Sequence, residues 1–71
     1  MINMYDFEDG NGPVPAHQHP NGGGWVANTA YVSATAYVGS GAVVFENARV
    51  FRNAVVRGNA VVRGNAEVFD R

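Results

Sequence analysis

The sequence contains no cysteine, which excludes a disulfide scaffold, a thiolate metal site and a cysteine nucleophile. It also contains no lysine, and its five arginines are outnumbered by six acidic residues, for a net charge of −1. A chain without a basic excess is not typical of nucleic-acid-binding proteins. No apolar run approaches the roughly 18 residues of a membrane span, and the first residues lack the pattern of a secretion signal. We therefore expect neither a membrane protein nor a general nucleic-acid-binding protein.

From Trp25 onward the sequence repeats with a period of six residues. Each full unit begins with Val and carries Ala at its fifth position: VANTAY, VSATAY, VGSGAV, VFENAR, VFRNAV, VRGNAV and VRGNAE, followed by a partial VFDR. This period does not match a helix, and Val and Gly-Asn are poor helix formers. A hairpin meander would have only three or four residues in each strand. The period therefore favours a parallel β-solenoid, in which each strand pairs with the equivalent strand of the next turn.

The spacing of Val and Ala predicts which positions face the interior. In an extended strand, residues two apart lie on the same face, so each Ala and the Val that follows it point inward together. The units resemble the hexapeptide-repeat family, whose three-sided coils imply a turn of 18 residues, and such a turn would stack Val26, Val44 and Val62 in one inward column. The third and fourth positions of the units are rich in turn-forming Asn, Gly and Ser. At one corner we expect a side-chain hydrogen-bonded ladder formed by Thr29, Asn47 and Asn65.

The VxxxAx units from Val26 to Val68 resemble the hexapeptide-repeat family. This resemblance implies an all-β fold, a short three-sided left-handed parallel β-helix of about two and a half turns over residues 25–71. Residues 1–24 would form an irregular N-terminal cap, and the family implies a homotrimer with parallel coil axes. The segment HPNGGGWVANTAYV and the GNA-type units are also similar to repeat proteins of phages and other mobile elements. That second resemblance implies a location in the bacterial cytoplasm or in a virion.

The resemblance does not extend to the residues that give this family its enzymatic activities. Family acyltransferases use a histidine base between neighbouring coils, and γ-class carbonic anhydrases carry metal-binding histidines on the coil itself. The two histidines of this chain, His17 and His19, both precede the repeat, so its Ser and Thr hydroxyls have no histidine within the repeat to activate them. The sequence also has no G-x-x-x-x-G-K-[ST] phosphate loop. We therefore expect no enzymatic activity and no organic cofactor.

The positions on either side of each Val point outward, and many of them are large and apolar. Stacked columns of exposed apolar groups mark an interaction surface. We expect oligomer or partner contacts at Trp25, Tyr31, Val43, Phe45, Phe51, Val61 and Phe69. We expect a polar rim formed by Arg49, Arg52, Arg57 and Arg63. Since Arg49 lies one turn from both Glu67 and Tyr31, an ion pair and a cation–π contact are predicted there.

Residues 1–24 do not repeat and are expected to act differently. The apolar patch Ile2, Met4, Tyr5 and Phe7 predicts a cap over the coil or a contact with a neighbour. The Gly- and Pro-rich residues 10–24 predict turns and a flexible connection. An extended H-x-H segment places the imidazoles of His17 and His19 on one face, where a threefold axis would bring six of them to a transition metal. The alternative is that both are exposed in a loop, or that one packs on Trp25.

Together these features predict a non-enzymatic, self-assembling trimeric module, encoded by a phage or mobile element, that binds or occludes a partner protein. One specific version is a phage counter-defence inhibitor that blocks a host protein, such as an anti-CRISPR protein. A second is a virion tip or fibre part with a metal bound by His17 and His19. A third is capture of a small anionic ligand, such as a nucleotide, in Arg-lined grooves between subunits, because guanidinium groups match phosphate geometry.

Overall fold

A computed structural model of the chain describes residues 3–69. Over that range the chain is all-β, with ten short strands and no helix. No helix in this part of the chain is long and apolar enough to cross a membrane. The strands, in chain order, are β1 Met4–Asp6, β2 Pro13–Gln18, β3 Trp25–Ala27, β4 Tyr31–Val32, β5 Tyr37–Val38, β6 Val43–Val44, β7 Arg49–Val50, β8 Val55–Val56, β9 Val61–Val62 and β10 Glu67–Val68.

Strands β3 to β10 follow the hexapeptide repeat, with one strand in each unit. Each pairs in parallel with the strand three units away, so Trp25 pairs with Val43 and Val43 with Val61. Three separate sheets result. The first sheet has the order β1-β2-β3-β6-β9, the second has the order β10-β7-β4, and the third consists of β5 and β8. The chain thus returns to the same sheet every 18 residues, as the sequence period predicts.

The interior consists of the repeated Val and Ala positions. The largest side chains that are fully buried are Val26, Val38, Val44 and Val50. The fifth-position alanines Ala36, Ala42 and Ala48 are buried with them in one cluster. The inward phase assigned to Val and Ala is therefore confirmed. Burial decreases toward the last unit, where Val68 is only partly buried and Ala66 is exposed.

Every full unit turns its corner with the same hydrogen bond. The amide of the fifth-position Ala donates to the carbonyl of the residue three positions earlier, as from Ala54 to Phe51 at 3.2 Å. In the last four units the third position has a positive φ, near 60°: Glu46, Arg52, Gly58 and Gly64. A positive φ at the first central residue, followed by a negative one, is typical of a type II′ turn.

The expected ladder of corner side chains takes a different form. The Thr29 hydroxyl donates to the carbonyl of Glu46 at 2.6 Å, and the Asn47 backbone amide donates to the carbonyl of Gly64. Thr35 repeats the Thr29 contact at the next corner by donating to the Arg52 carbonyl. Within residues 3–69 no side-chain hydrogen bond joins Asn47 to Asn65. The corner is held through backbone carbonyls because the turn exposes them to the neighbouring rung.

The N-terminal arm, residues 3–24, caps one end of the coil. Strand β2 pairs antiparallel with β3, and β1 pairs antiparallel with β2, which extends the first sheet. After β2 the chain passes along the third sheet, where the Gly24 amide donates to the Val38 carbonyl at 2.8 Å. A Cβ atom at Gly22 or Gly24 would clash with Val38. At these two positions the glycines allow the arm to pack closely against the third sheet. Ile2 lies outside the described residues.

Candidate functional site

The outward aromatic residues form two groups with opposite environments. On the first sheet, Trp25 and Phe45 are covered by the N-terminal arm. The Tyr5 ring stacks on Trp25 with centroids 4.7 Å apart, and the Phe7 ring stacks on Phe45 at 4.8 Å. The Arg63 guanidinium lies 5.5 Å from the centre of the Phe45 ring. Phe45 is consequently only 3% exposed, so it is already packed within its own chain.

Strand alternation explains how the arm reaches these rings. Tyr5 pairs with Val14 across β1 and β2, and Gln18 pairs with Trp25 across β2 and β3. Because alternate residues share a face, Tyr5 and Trp25 lie on the same outer face of the sheet. Ala16 lies on that face between them and is buried at 3% exposure. Its small side chain leaves room for the Tyr5 ring to pass over β2. The outer positions of Val43 and Val61 continue this sheet, half-buried and exposed respectively.

On the second sheet the aromatic residues have no such cover. The second-face column, defined here as Tyr31, Phe51 and Phe69, runs along its outer face. Phe51 and Phe69 stack at 4.7 Å with an interplanar angle of 11°, and Tyr31 and Phe51 are tilted at 5.9 Å. Tyr31 is 54% exposed and Phe69 is 58% exposed. An aromatic stack of this kind is usually buried in a core or an interface, so its exposure makes this face the leading candidate for a contact surface.

Charged side chains on the second sheet lie beside this column. Arg49 Nη1 is 3.8 Å from Glu67 Oε2, which matches the predicted ion pair. Among residues 3–69 the one cation–π contact joins Arg63 to Phe45, so the predicted contact between Arg49 and Tyr31 is wrong. Arg49 and Glu67 also line a polar cavity of about 390 Å³, together with Thr29, Tyr31, Asn47 and Asn65. A cavity whose one guanidinium is already paired with a carboxylate does not resemble an Arg-lined phosphate groove.

The four arginines of the expected polar rim are distributed around the molecule. Arg49 belongs to the second sheet, and Arg57 follows β8 of the third sheet. Arg52 occupies a corner with φ 58°. Arg63 follows β9 of the first sheet, with its Nε 3.6 Å from Glu46 Oε1. One flat contact would therefore include some of these arginines and leave others out.

The two histidines have different hydrogen-bond partners and different burial. The exposed His17 has its Nδ1 2.7 Å from Asn28 Oδ1. His19 is 4% exposed, and its Nε2 donates to the Ala36 carbonyl at 2.8 Å, which requires the proton on Nε2. No group of three or more His, Cys, Asp or Glu side chains suited to a metal ion occurs in residues 3–69. Within one chain, His19 therefore serves to attach the arm to the coil.

The sequence interpretation gave a cap over the coil as one role of Tyr5 and Phe7, but it did not predict that their rings stack on Trp25 and Phe45. It treated Trp25 and Phe45 as exposed, because the repeat alone places them outside. A signal was present in Tyr5 and Phe7, which are two residues apart and so share a face in an extended strand.

Comparison of the chain with known family models, with curated proteins and with solved structures found no match in any of the three.

Proposed function

We propose that the chain is a self-associating, non-catalytic interaction module that packs against further copies of itself through the second-face column. We further propose that it is a left-handed parallel β-helix of the hexapeptide-repeat type and that the assembly is a homotrimer. Parallel pairing of strands 18 residues apart in three sheets supports the β-helix. The left-handed coil and the trimeric state rest on the resemblance of the VxxxAx units to that family.

The observation that carries the proposal is the contrast between the two aromatic faces. On the first sheet the arm buries Phe45 and partly covers Trp25 with stacked rings. On the second sheet an equally ordered stack of Phe51 and Phe69 faces outward in a single chain. A small domain gains stability mainly by removing apolar area from water, at about 25 cal/mol per Å². The coil interior contains only Val and Ala side chains. Covering the second face would remove further apolar area, that of its aromatic rings, from water.

A second copy of the chain is the occupant that the charges favour. The second face carries one cation and one anion, Arg49 and Glu67, side by side. A surface that carries one charge of each sign has no net charge to repel the same surface of another copy. The whole chain has a net charge of only −1, so copies repel one another weakly. Aromatic and Arg side chains are also the residues enriched where interfaces are most stable.

The proposal of a non-catalytic role is supported by the environments of the two imidazoles. His19 is buried and bonded to a backbone carbonyl, and His17 is bonded to the side chain of Asn28. A catalytic base needs to reach a proton on a bound substrate. Neither imidazole lines the polar cavity on the second sheet, which is formed by other residues.

The experiment is the absolute mass in solution, measured by light scattering on a sizing column. We expect a trimer for the wild type and a smaller species for Phe69→Ser. The matched control is Val61→Ser, because Val61 is 57% exposed and Phe69 is 58% exposed, but Val61 lies on the first sheet. A wild-type monomer at high concentration would contradict the proposal, and so would a loss of mass in Val61→Ser with none in Phe69→Ser. A stable dimer would retain self-association and refute the trimer.

A further inference from the structure

A cavity of about 350 Å³ lies on the outer face of the first sheet, between that sheet and the loop that follows β1. Its walls are mainly apolar and include Phe7, Val14, Ala27 and Phe45. Two carboxylate residues, Asp9 and Glu46, lie among its lining residues. The volume is at the lower end of the range for small-molecule sites, which suits one ring with a short chain. This cavity is separate from the second-face column.

The repeat itself explains why the space exists. Val26 pairs with Val44 and Val44 with Val62, so the residues after them, Ala27, Phe45 and Arg63, are aligned along the sheet. Phe45 and Arg63 fill this outer column with large side chains, whereas Ala27 contributes only a methyl group. Phe7 stacks on Phe45 and encloses the space beside Ala27. The small side chain of Ala27 is therefore one of several features that leave this space open, together with the loop that follows β1.

The charges at the cavity are mainly negative. Glu46 Oε1 accepts the Gly64 amide at 2.8 Å and lies near Arg63, so this carboxylate is already partly neutralised. The Asp9 carboxylate accepts the backbone amide and the side-chain amide of Asn11, at 3.1 and 3.2 Å. The Asn11 backbone amide foremost, then its side-chain amide and, as a smaller cause, the positive charge of Arg63, lower the pKa of Asp9 below its ordinary value, so it is ionised at neutral pH. Asp9 can therefore accept a further charged donor.

We propose that this cavity binds a small organic cation of the aryl-alkylammonium class. The apolar body of the ligand would lie against Phe7, Val14 and Ala27, and the ammonium group would contact the Asp9 carboxylate. Aromatic rings and a carboxylate are both attractive to an ammonium ion, whereas an anion would meet two carboxylates. The same apolar body without a charge would keep the ring contacts and lose the contact with Asp9.

Three probes of similar size and different charge test the proposal by titration into ¹⁵N-labelled protein, followed by amide chemical shifts. They are phenethylamine, 2-phenylethanol and phenylacetate. We expect phenethylamine to bind about threefold more tightly than 2-phenylethanol, the effect of one partly exposed ion pair, and phenylacetate to bind most weakly. The shifts should be centred on Asp9, Val14 and Ala27. Equal binding of phenylacetate and phenethylamine, or no shift with any probe at millimolar concentration, would overturn the proposal.

Two variants test separately how the shape of the cavity and the charge of Asp9 contribute to binding. Ala27→Leu places a larger side chain in the wall of the cavity and should weaken the binding of all three probes, while Val61→Leu, exposed on the same sheet, should leave binding unchanged. Asp9→Asn keeps the shape and should remove the preference for the ammonium probe. If Ala27→Leu fails to fold, Asp9→Asn still tests the proposal, because the Asp9 side chain lies at the surface and its replacement leaves the fold intact. Unchanged affinity for phenethylamine in Asp9→Asn would refute the ion contact.

Discussion

Replacing Phe7 by alanine removes the ring that covers Phe45 on the first sheet. A fully buried Phe→Ala change costs about 3–5 kcal/mol, and Phe7 is only half-buried, so burial accounts for roughly 2 kcal/mol. Loss of the stacked pair adds about 0.5–1 kcal/mol. We therefore expect the free energy of unfolding to fall by about 2–3 kcal/mol in Phe7→Ala, a large part of the stability of a domain this small.

The assay is urea unfolding followed by the fluorescence of Trp25, the single tryptophan of the chain, at one fixed protein concentration. Trp25 reports on the arm directly, since Tyr5 stacks on its indole ring. The matched control is Met4→Ala, because Met4 lies on β1 three residues before Phe7, with its side chain half-exposed on the face opposite Tyr5. We expect that control to cost less than about 1 kcal/mol. Equal losses in both variants, or no loss in Phe7→Ala, would show that the arm does not stabilise the coil through this ring.

Three further predictions concern the core, the corners and pH. Val50→Ala removes two methyl groups from a fully buried site and should cost about 2–3 kcal/mol in the same urea assay. Gly64→Ala places a Cβ at φ 65° and should cost about 1 kcal/mol, whereas Arg52→Gly at φ 58° should be neutral or stabilising in thermal melts. A loss of stability in Arg52→Gly equal to that in Gly64→Ala would contradict the turn assignment. Because the pKa of Asp9 is lowered in the folded state, its contribution is present above the ordinary value of 3.8 and is lost as the pH falls through the folded pKa. The stability of Asp9→Asn, followed from pH 5 to pH 2, should therefore fall less steeply than that of the wild type.

The coil could be predicted because the sequence pattern that specifies it is local and repeated. A Val every six residues, with Ala two positions before it, fixes the inward phase of every strand without knowledge of the rest of the chain. The pairing of Val26 with Val44 and of Val44 with Val62 follows from that phase and from three sides to a turn. The outward column of the exposed Tyr31 and Phe69 and the half-buried Phe51 follows from the same alternation.

The arm was not predictable in the same way, because its pairing is not repeated. Antiparallel contact of β2 with β3 depends on a turn through residues 19–24, and nothing in the period of six fixes its path. The cover over Phe45 and the cavity beside Ala27 depend on that path, so neither could be derived from the repeat. The positive φ of Glu46 and Arg52 could not be predicted from their residue types, because residues with a side chain rarely adopt it. Gly58 and Gly64 occupy the same position in later units of the repeat.

The most direct test of self-association through the second face is an isotope-filtered NOE experiment on a mixture of labelled and unlabelled chains. Only protons of different chains that lie close together give cross-peaks in such a sample. We predict cross-peaks from the ring protons of Phe51 and Phe69 to protons of a second copy. Cross-peaks confined to the methyl groups of Val55 and Val61, which are exposed on the third and first sheets, would contradict the account, as would the absence of any cross-peak.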